Sequence, residues 1–123
     1  MDGYEVAENQ GRTIFKRLFQ NFFRTIVFSD DTYSFWDTSG VTYTNKKKVT
    51  EIKNRPNYWF EDYSGSTIME KHKLNEFLKL QEKHDDYWCH YMCLYSDYWV
   101  SYNLTNRFKK GSEDLALFNH SLP

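Results

Sequence analysis

The sequence lacks the features that mark several large classes of protein. Its 123 residues contain only two cysteines, too few for the disulfide framework of a small secreted domain. No apolar run approaches the roughly 20 residues of a membrane-spanning helix, and residues 1–10 lack the basic and apolar regions of a signal peptide. The five glycines do not have the spacing of a phosphate-binding loop. We therefore expect a cytoplasmic protein without a membrane segment.

Aromatic side chains are the most abundant feature that is present. They make up 20% of the chain, as ten Phe, ten Tyr and four Trp, so ring packing is expected to dominate the core. Such a composition argues against intrinsic disorder, and the length is that of one ordinary domain, predicted to span residues 1–123. The formal net charge is −1, so no overall field attracts nucleic acid or an anionic membrane.

Two segments have the apolar periodicity of amphipathic helices. Apolar side chains recur every three to four positions from Ile14 to Ile26, which predicts a helix over residues 12–24. Thr67 is followed three residues later by Glu70, the spacing of a capping box. A second helix is therefore predicted over residues 68–83.

Strand patterns fill much of the rest of the chain. Residues 87–95 and 98–104 alternate in the manner of strands, and Ser96-Asp97 between them is suited to a tight turn. Shorter strand-like segments occur at residues 25–28, 32–37, 41–44 and 57–63, with a loop or exposed edge at 45–56 and a short helix at 113–118. The sequence predicts an α+β fold: an antiparallel sheet of short aromatic-rich strands with two main helices packed on one face.

A zinc site must be considered where His84, Cys89, His90 and Cys93 fall within ten residues. On a strand, Cys89 and Cys93 are about 13 Å apart, too far to share a metal or a disulfide. On a helix the same two thiols would lie one turn apart and could chelate. The strand pattern favours buried structural cysteines, and it turns His90 away from Cys89, so no cysteine nucleophile with an adjacent base is predicted.

Paired carboxylates could also supply acid–base chemistry or hold magnesium. The pairs are Asp30 with Asp31, Glu61 with Asp62, and Asp85 with Asp86. Each pair lies at a predicted element boundary, where Asp is common in turns and caps. With no convergent catalytic set, the sequence predicts no enzyme activity and no cofactor.

A basic segment with neighbouring rings is the predicted binding surface. Its residues are Lys46, Lys47, Lys48, Lys53, Arg55, Tyr58 and Trp59. Tyr, Trp and Arg dominate the energetics of protein interfaces, which favours a protein partner. The same mixture of cations and rings could bind single-stranded nucleic acid, although the near-neutral total charge weakens that alternative. An enzyme or a metal-dependent nucleic-acid protein is the competing hypothesis, and it would need carboxylates or His and Cys side chains to converge.

In overall character, the chain resembles the small inhibitors encoded by phages and mobile elements, of which anti-CRISPR proteins are the best-known class. The resemblance consists of a short chain, rich in Tyr, Asn, Lys and Asp, without a catalytic motif. It implies a non-catalytic inhibitor that binds a CRISPR effector nuclease stoichiometrically. Because the net charge is only −1, the resemblance implies blocking of a protein surface more than mimicry of DNA.

Overall fold

The computed structural model describes residues 3–30, 34–59, 69–110 and 117–121. The helices are α1 (Gly3–Phe19), α2 (Lys71–Lys83) and α3 (Leu104–Lys110). The strands are β1 (Phe23–Phe28), β2 (Thr38–Thr42), β3 (Lys47–Asn54), β4 (Tyr87–Leu94), β5 (Tyr98–Asn103) and β6 (Leu117–Ser121). The described helices are too short or too polar to cross a membrane. The predicted α+β class, with helices packed on a sheet, is confirmed.

The six strands form one sheet in the order of the sequence. Four of the five neighbouring pairs are antiparallel, and β3 with β4 is the parallel one. Parallel strands cannot be joined by a tight turn, and helix α2 lies within the connection between them. The sheet is therefore mostly antiparallel around one parallel pair at its centre.

Strand β3 corrects the prediction of a loop or exposed edge at residues 45–56. Val49, Thr50, Glu51 and Ile52 are all buried within it. The charged side chains misled the prediction, because charge in this strand can be accommodated: Glu51 lies beside a lysine of α2, and long lysine stems can cover apolar surface. A strand rich in charge can therefore stand at the centre of this sheet.

The two main helices pack on opposite faces of the sheet, so the prediction that they share one face is wrong. Phe15 of α1 belongs to a buried cluster with Met92 and Leu94 of β4. Phe77 of α2 packs instead in a cluster with Cys89 on the other face of that strand. Because β4 is apolar on both faces, each face needs a helix to cover it.

The element boundaries follow the predictions unevenly. Strands β4 and β5 match residues 87–95 and 98–104 closely, while α1 begins nine residues before the predicted start. Helix α3 was not predicted. The segments predicted at 32–37, 57–63 and 113–118 lie partly outside the described residues. Their described parts show no strand at 34–37 or 57–59, and strand rather than helix from Leu117.

Gly40 marks a close approach between β1 and β2, where it pairs with Ile26. A Cβ atom there would lie 2.5 Å from the carbonyl oxygen of Thr25 and 2.8 Å from the Phe23 ring. The backbone at Thr25 and the buried Phe23 ring cannot both move away from such a Cβ atom without disturbing the edge of the sheet. Glycine in a strand commonly marks such a site.

We expect Gly40→Ala to lower the free energy of unfolding by about 1–3 kcal/mol, the usual range for overpacking. Gly3→Ala is the matched control, since a Cβ atom at that position meets nothing within 4 Å. Urea denaturation of the two variants and the parent measures the difference. Equal stability of all three proteins would contradict the close packing at Gly40.

Candidate functional site

The structure divides the predicted binding residues between the two ends of β3. Lys46, Lys47 and Lys48 lie at its start, whereas Lys53 and Arg55 lie at its end, followed by Tyr58 and Trp59. Seven residues of strand separate Lys48 from Arg55 by roughly 23 Å. Strand alternation also sends Lys47 and Lys48 to opposite faces. The seven residues therefore do not form one surface.

At the start of β3, each lysine lies over an aromatic ring. The nitrogen of Lys46 is 5.6 Å from the centre of the Trp88 ring, and that of Lys47 is 5.6 Å from the Tyr87 ring. Lys47 also forms an ion pair with Asp86 at 3.1 Å. These contacts are of the cation–π type, worth about 0.5–1 kcal/mol each where exposed. They engage the two lysines within the molecule.

At the end of β3, the basic and aromatic residues border the turn between β4 and β5. Arg55 donates a hydrogen bond from Nη1 to Cys93 Sγ at 3.3 Å, and its guanidinium lies 5.9 Å from the Tyr95 ring centre. The carbonyl oxygen of Tyr58 accepts a hydrogen bond from the nitrogen of Ser96 at 2.9 Å. Tyr58 and Trp59 remain 49% and 57% exposed.

The zinc cluster considered in the sequence does not assemble. Cys89 and Cys93 are free, buried thiols on the α2 face of β4, which confirms the strand geometry predicted for them. His90 lies on the α1 face of the same strand, where burial lowers its pKa to about 3. Burial raises the pKa of Cys89 to about 11, which is unsuitable for a thiolate ligand or nucleophile.

Two carboxyl groups that the sequence analysis did not pair come together beside β3. Asp37 precedes β2, and its backbone nitrogen donates to the carbonyl of Thr50 at 2.9 Å. Its Oδ2 atom accepts from the backbone nitrogen of Ile52 at 2.7 Å, and its Oδ1 atom from Arg12 Nη2 at 3.2 Å. These contacts with the residues on either side of Glu51 bring the two carboxyl groups together.

Glu51 is only 7% exposed, an unusual environment for an acidic side chain. Lys73 Nζ lies 2.8 Å from its Oε2 atom, yet that buried oxygen receives no well-oriented hydrogen bond from the described residues. Burial, reinforced by the hydrogen bond and the charge of Asp37, raises the pKa of Glu51 well above its usual range, and Lys73 only partly opposes this. Glu51 therefore favours its protonated form.

The carboxyl pair lines a small cavity that shares two lining residues with a neighbouring groove of three basic and two acidic side chains. The small cavity, of about 60 Å³, is lined by Ala7, Glu8, Asp37, Glu51, Ile52, Lys53 and Asn54. The groove, of about 390 Å³, is lined by Glu51, Lys53, Arg55, Met69, Glu70, Lys73 and Tyr91. Glu51 and Lys53 belong to both. A volume of 60 Å³ is about that of two water molecules, or of an ion with a water.

The residues present suit a magnesium ion better than zinc. Across the described ranges, no group of three or more His, Cys, Asp or Glu side chains could enclose a metal. Mg²⁺ does not need such a cage, because it keeps several waters and takes one or two carboxylates together with substrate phosphates. Asp37 and Glu51 would supply those two carboxylates once Glu51 has lost its proton.

A signal for this site was present in the sequence. Glu51 and Lys53 are two residues apart, so on a strand both side chains point to the same face. The sequence predicted a loop or exposed edge at residues 45–56, which includes Glu51, and a strand-like segment at 32–37, which ends at Asp37. The pairing of β2 with β3 is what brings Asp37 to Glu51.

The raised pKa of Glu51 has a consequence for stability. Below the ordinary pKa of a glutamate, the group is protonated in both folded and unfolded chains and favours neither. Between that value and the raised folded pKa, the unfolded chain ionises first, so the folded state loses stability as the pH rises, by up to about 1.4 kcal/mol per pH unit.

We therefore expect the stability of Glu51→Gln, relative to the parent, to increase from pH 5 to pH 8. Glutamine keeps the shape and cannot ionise, so the variant escapes the cost that the parent incurs. Denaturant unfolding at three pH values in this window measures the difference, and Glu76→Gln on the exposed face of α2 is the control. A difference that does not change with pH would contradict the assignment.

Comparison with family models, with curated proteins and with solved structures found no match, so the site is interpreted from its own geometry.

Proposed function

We propose that the protein is a magnesium-dependent hydrolase that cleaves phosphodiester bonds in nucleic acid. The observation that carries the proposal is the buried Asp37–Glu51 carboxyl pair, which shares a cavity with Lys53. A carboxyl group held at an unfavourable pKa in a cleft is a candidate functional group, because burial of such a pair costs stability without improving packing. This takes up the second of the two hypotheses left by the sequence, which required carboxylates to converge.

The surroundings of the pair favour a phosphate substrate. Lys53, Arg55 and Lys73 line the groove next to the carboxyl pair, although the net charge of the whole chain is −1. Lysine and arginine supply the phosphate contacts of nucleic-acid-binding proteins and fix the position of the strand. A groove with these cations beside a magnesium site would hold a polyanion with one phosphate at the metal.

Each side chain then has a definite task. Asp37 is fixed by donors from Ile52 and Arg12, so its orientation is set before substrate binds. Glu51 would release its proton when the cation enters the cavity. Lys53, which lines both the cavity and the groove, would donate to the phosphoryl oxygens as their negative charge increases. A bound Mg²⁺ would polarise the phosphoryl group, and water would cleave the diester into a phosphate monoester and a free hydroxyl.

The test is cleavage of plasmid DNA, and of single-stranded DNA and RNA, with and without Mg²⁺. We expect cleavage that requires the ion and is abolished by a chelator. Asp37→Asn, Glu51→Gln and Lys53→Met should each lower the rate by about 100-fold or more, the usual cost of losing one such group.

The matched controls for this experiment are Glu76→Gln and Lys79→Met. These two residues pair with each other at 3.3 Å on the exposed face of α2. The two substitutions remove one negative and one positive charge, as the site variants do, but neither residue lines the cavity or the groove. Both variants should therefore cleave like the parent. Cleavage that survives all three site variants would identify a contaminating nuclease, and absence of cleavage on every substrate would overturn the proposal.

The non-catalytic inhibitor of a CRISPR effector nuclease stays a prediction and is the second candidate. The exposure of Tyr58 and Trp59 favours it, since such rings act as anchors at protein interfaces. Its test is titration of effector cleavage with the Glu51→Gln variant, which separates binding from hydrolysis.

For this second candidate, inhibition should be complete at one chain per effector. Tyr58→Ala or Trp59→Ala should weaken it by about 30-fold, equivalent to about 2 kcal/mol. A triple Lys46/Lys47/Lys48→Glu variant, altered at the other end of β3, tests whether the effect is local. No inhibition by the folded Glu51→Gln variant would exclude this candidate for the effector tested.

A further inference from the structure

A second cavity, of about 290 Å³, lies on the α1 face of the sheet. Five aromatic side chains line it: Phe15, Phe19, Phe22, Phe23 and Trp99. The ring of Phe19 meets that of Trp99 edge to face, with 5.3 Å between the ring centres. Its volume is at the lower end of the range for small-molecule sites, and its aromatic lining is typical of them.

The sheet positions beneath these rings are unexpectedly polar. Thr50, His90 and Asn103 are neighbours across β3, β4 and β5 and form one row, with Ser101 in the next row. The opposite face of the same three strands carries Val49, Cys89 and Val100, as expected under a helix. A polar row under aromatic walls provides hydrogen-bonding groups for a bound molecule.

Among the described residues that line this cavity, Lys48 alone carries a formal charge. Its Nζ atom lies 3.4 Å from Nε2 of His90 and 5.7 Å from the centre of the Phe22 ring. Burial lowers the pKa of His90 to about 3, so the imidazole is neutral and its Nε2 atom accepts from the ammonium. In the part of the chain that the structure describes, no carboxylate pairs with Lys48.

A partly buried ammonium without a counter-ion is unfavourable, and a bound anion would correct this. Burial lowers the pKa of Lys48, which is consistent with that cost. Because five aromatic side chains form much of the cavity wall, we expect the anion to carry an apolar body. A carboxylate is the simplest group that meets one ammonium and the neighbouring hydroxyl and amide donors.

We infer that this cavity binds a small carboxylic acid with an aromatic or alkyl body, its carboxylate against Lys48 and its body against the aromatic side chains that line the cavity. The site is on the other face of the sheet from the side chains of Glu51 and Lys53. The inference does not depend on the proposed hydrolase activity, and either can fail alone.

Two probes of nearly equal shape test the inference: 3-phenylpropanoate and the uncharged 3-phenylpropan-1-ol. Binding is followed by calorimetry and by amide chemical shifts in β3, β4 and β5. We expect the carboxylate to bind about ten-fold more tightly than the alcohol, with shifts at Thr50, Met92 and Ser101.

Lys48→Met keeps the length of the side chain and removes the charge. It should reduce carboxylate binding by about ten-fold and leave alcohol binding within two-fold. Lys47→Met is the matched control, because Lys47 faces the other side of the sheet and pairs with Asp86. Thermal unfolding of both variants confirms that they are folded.

Four results would overturn the inference. The first is equal affinity for the two probes in the parent protein, which needs no variant. The second is shifts confined to residues outside the cavity. The third is absence of binding by either probe at millimolar concentration. An unchanged carboxylate affinity in folded Lys48→Met would also exclude Lys48 as the anion-binding group.

Discussion

The parallel pairing of β3 with β4 is the interaction on which the rest of this structure depends. The two strands pair along eight residues, from Lys47 with Tyr87 to Asn54 with Leu94. A parallel pair requires a crossover, and it is usually covered on both faces, which explains why α1 and α2 lie on opposite sides. Their two buried clusters, around Phe15 and Phe77, are held together by this one strand pair.

The position of the carboxyl pair follows from the same arrangement. β3 is the strand where antiparallel pairing with β2 meets parallel pairing with β4. The residue before β2, Asp37, is thereby fixed beside Glu51, while α2 brings Lys73 to the same carboxyl group. Arg12 of α1, Lys73 of α2 and Lys53 of β3 lie around the acidic pair, and these cations offset part of the cost of burying it. Lys73 only partly opposes the cost of burying Glu51, so the raised pKa of this carboxyl group follows from its place at the centre of the sheet.

The sequence could predict the elements with strong periodicity and little charge. Strands β4 and β5, the amphipathic part of α1 and the body of α2 were all visible, and so was the strand geometry that separates Cys89 from Cys93. Strand β3 was not, because lysines and a glutamate replace the apolar side chains that signal a central strand. Its neutralising partners come from α2 and from the segment before β4, far away in sequence.

The same reason explains why the candidate site could not be derived from spacing alone. Asp37 and Glu51 are 14 residues apart, and neither belongs to a recognisable motif. Only the register of β2 against β3 brings them together, and register depends on which face of each strand is buried. The basic residues were predicted to bind a partner. Because they were assigned to a loop or exposed edge, the sequence did not indicate which of them share a face.

Because successive side chains of β3 point to opposite faces, this one strand lines two cavities. The side chains of Glu51 and Lys53 line the small cavity of the carboxyl pair, while those of Lys48 and Thr50 line the aromatic cavity on the other face. Inserting or deleting a single residue between Lys48 and Glu51 would exchange the faces of everything beyond it. The carboxyl group would then turn toward the phenylalanines of α1. The strand register therefore fixes both cavities at once, because a shift of one residue along β3 would move the lining side chains of each cavity to the opposite face.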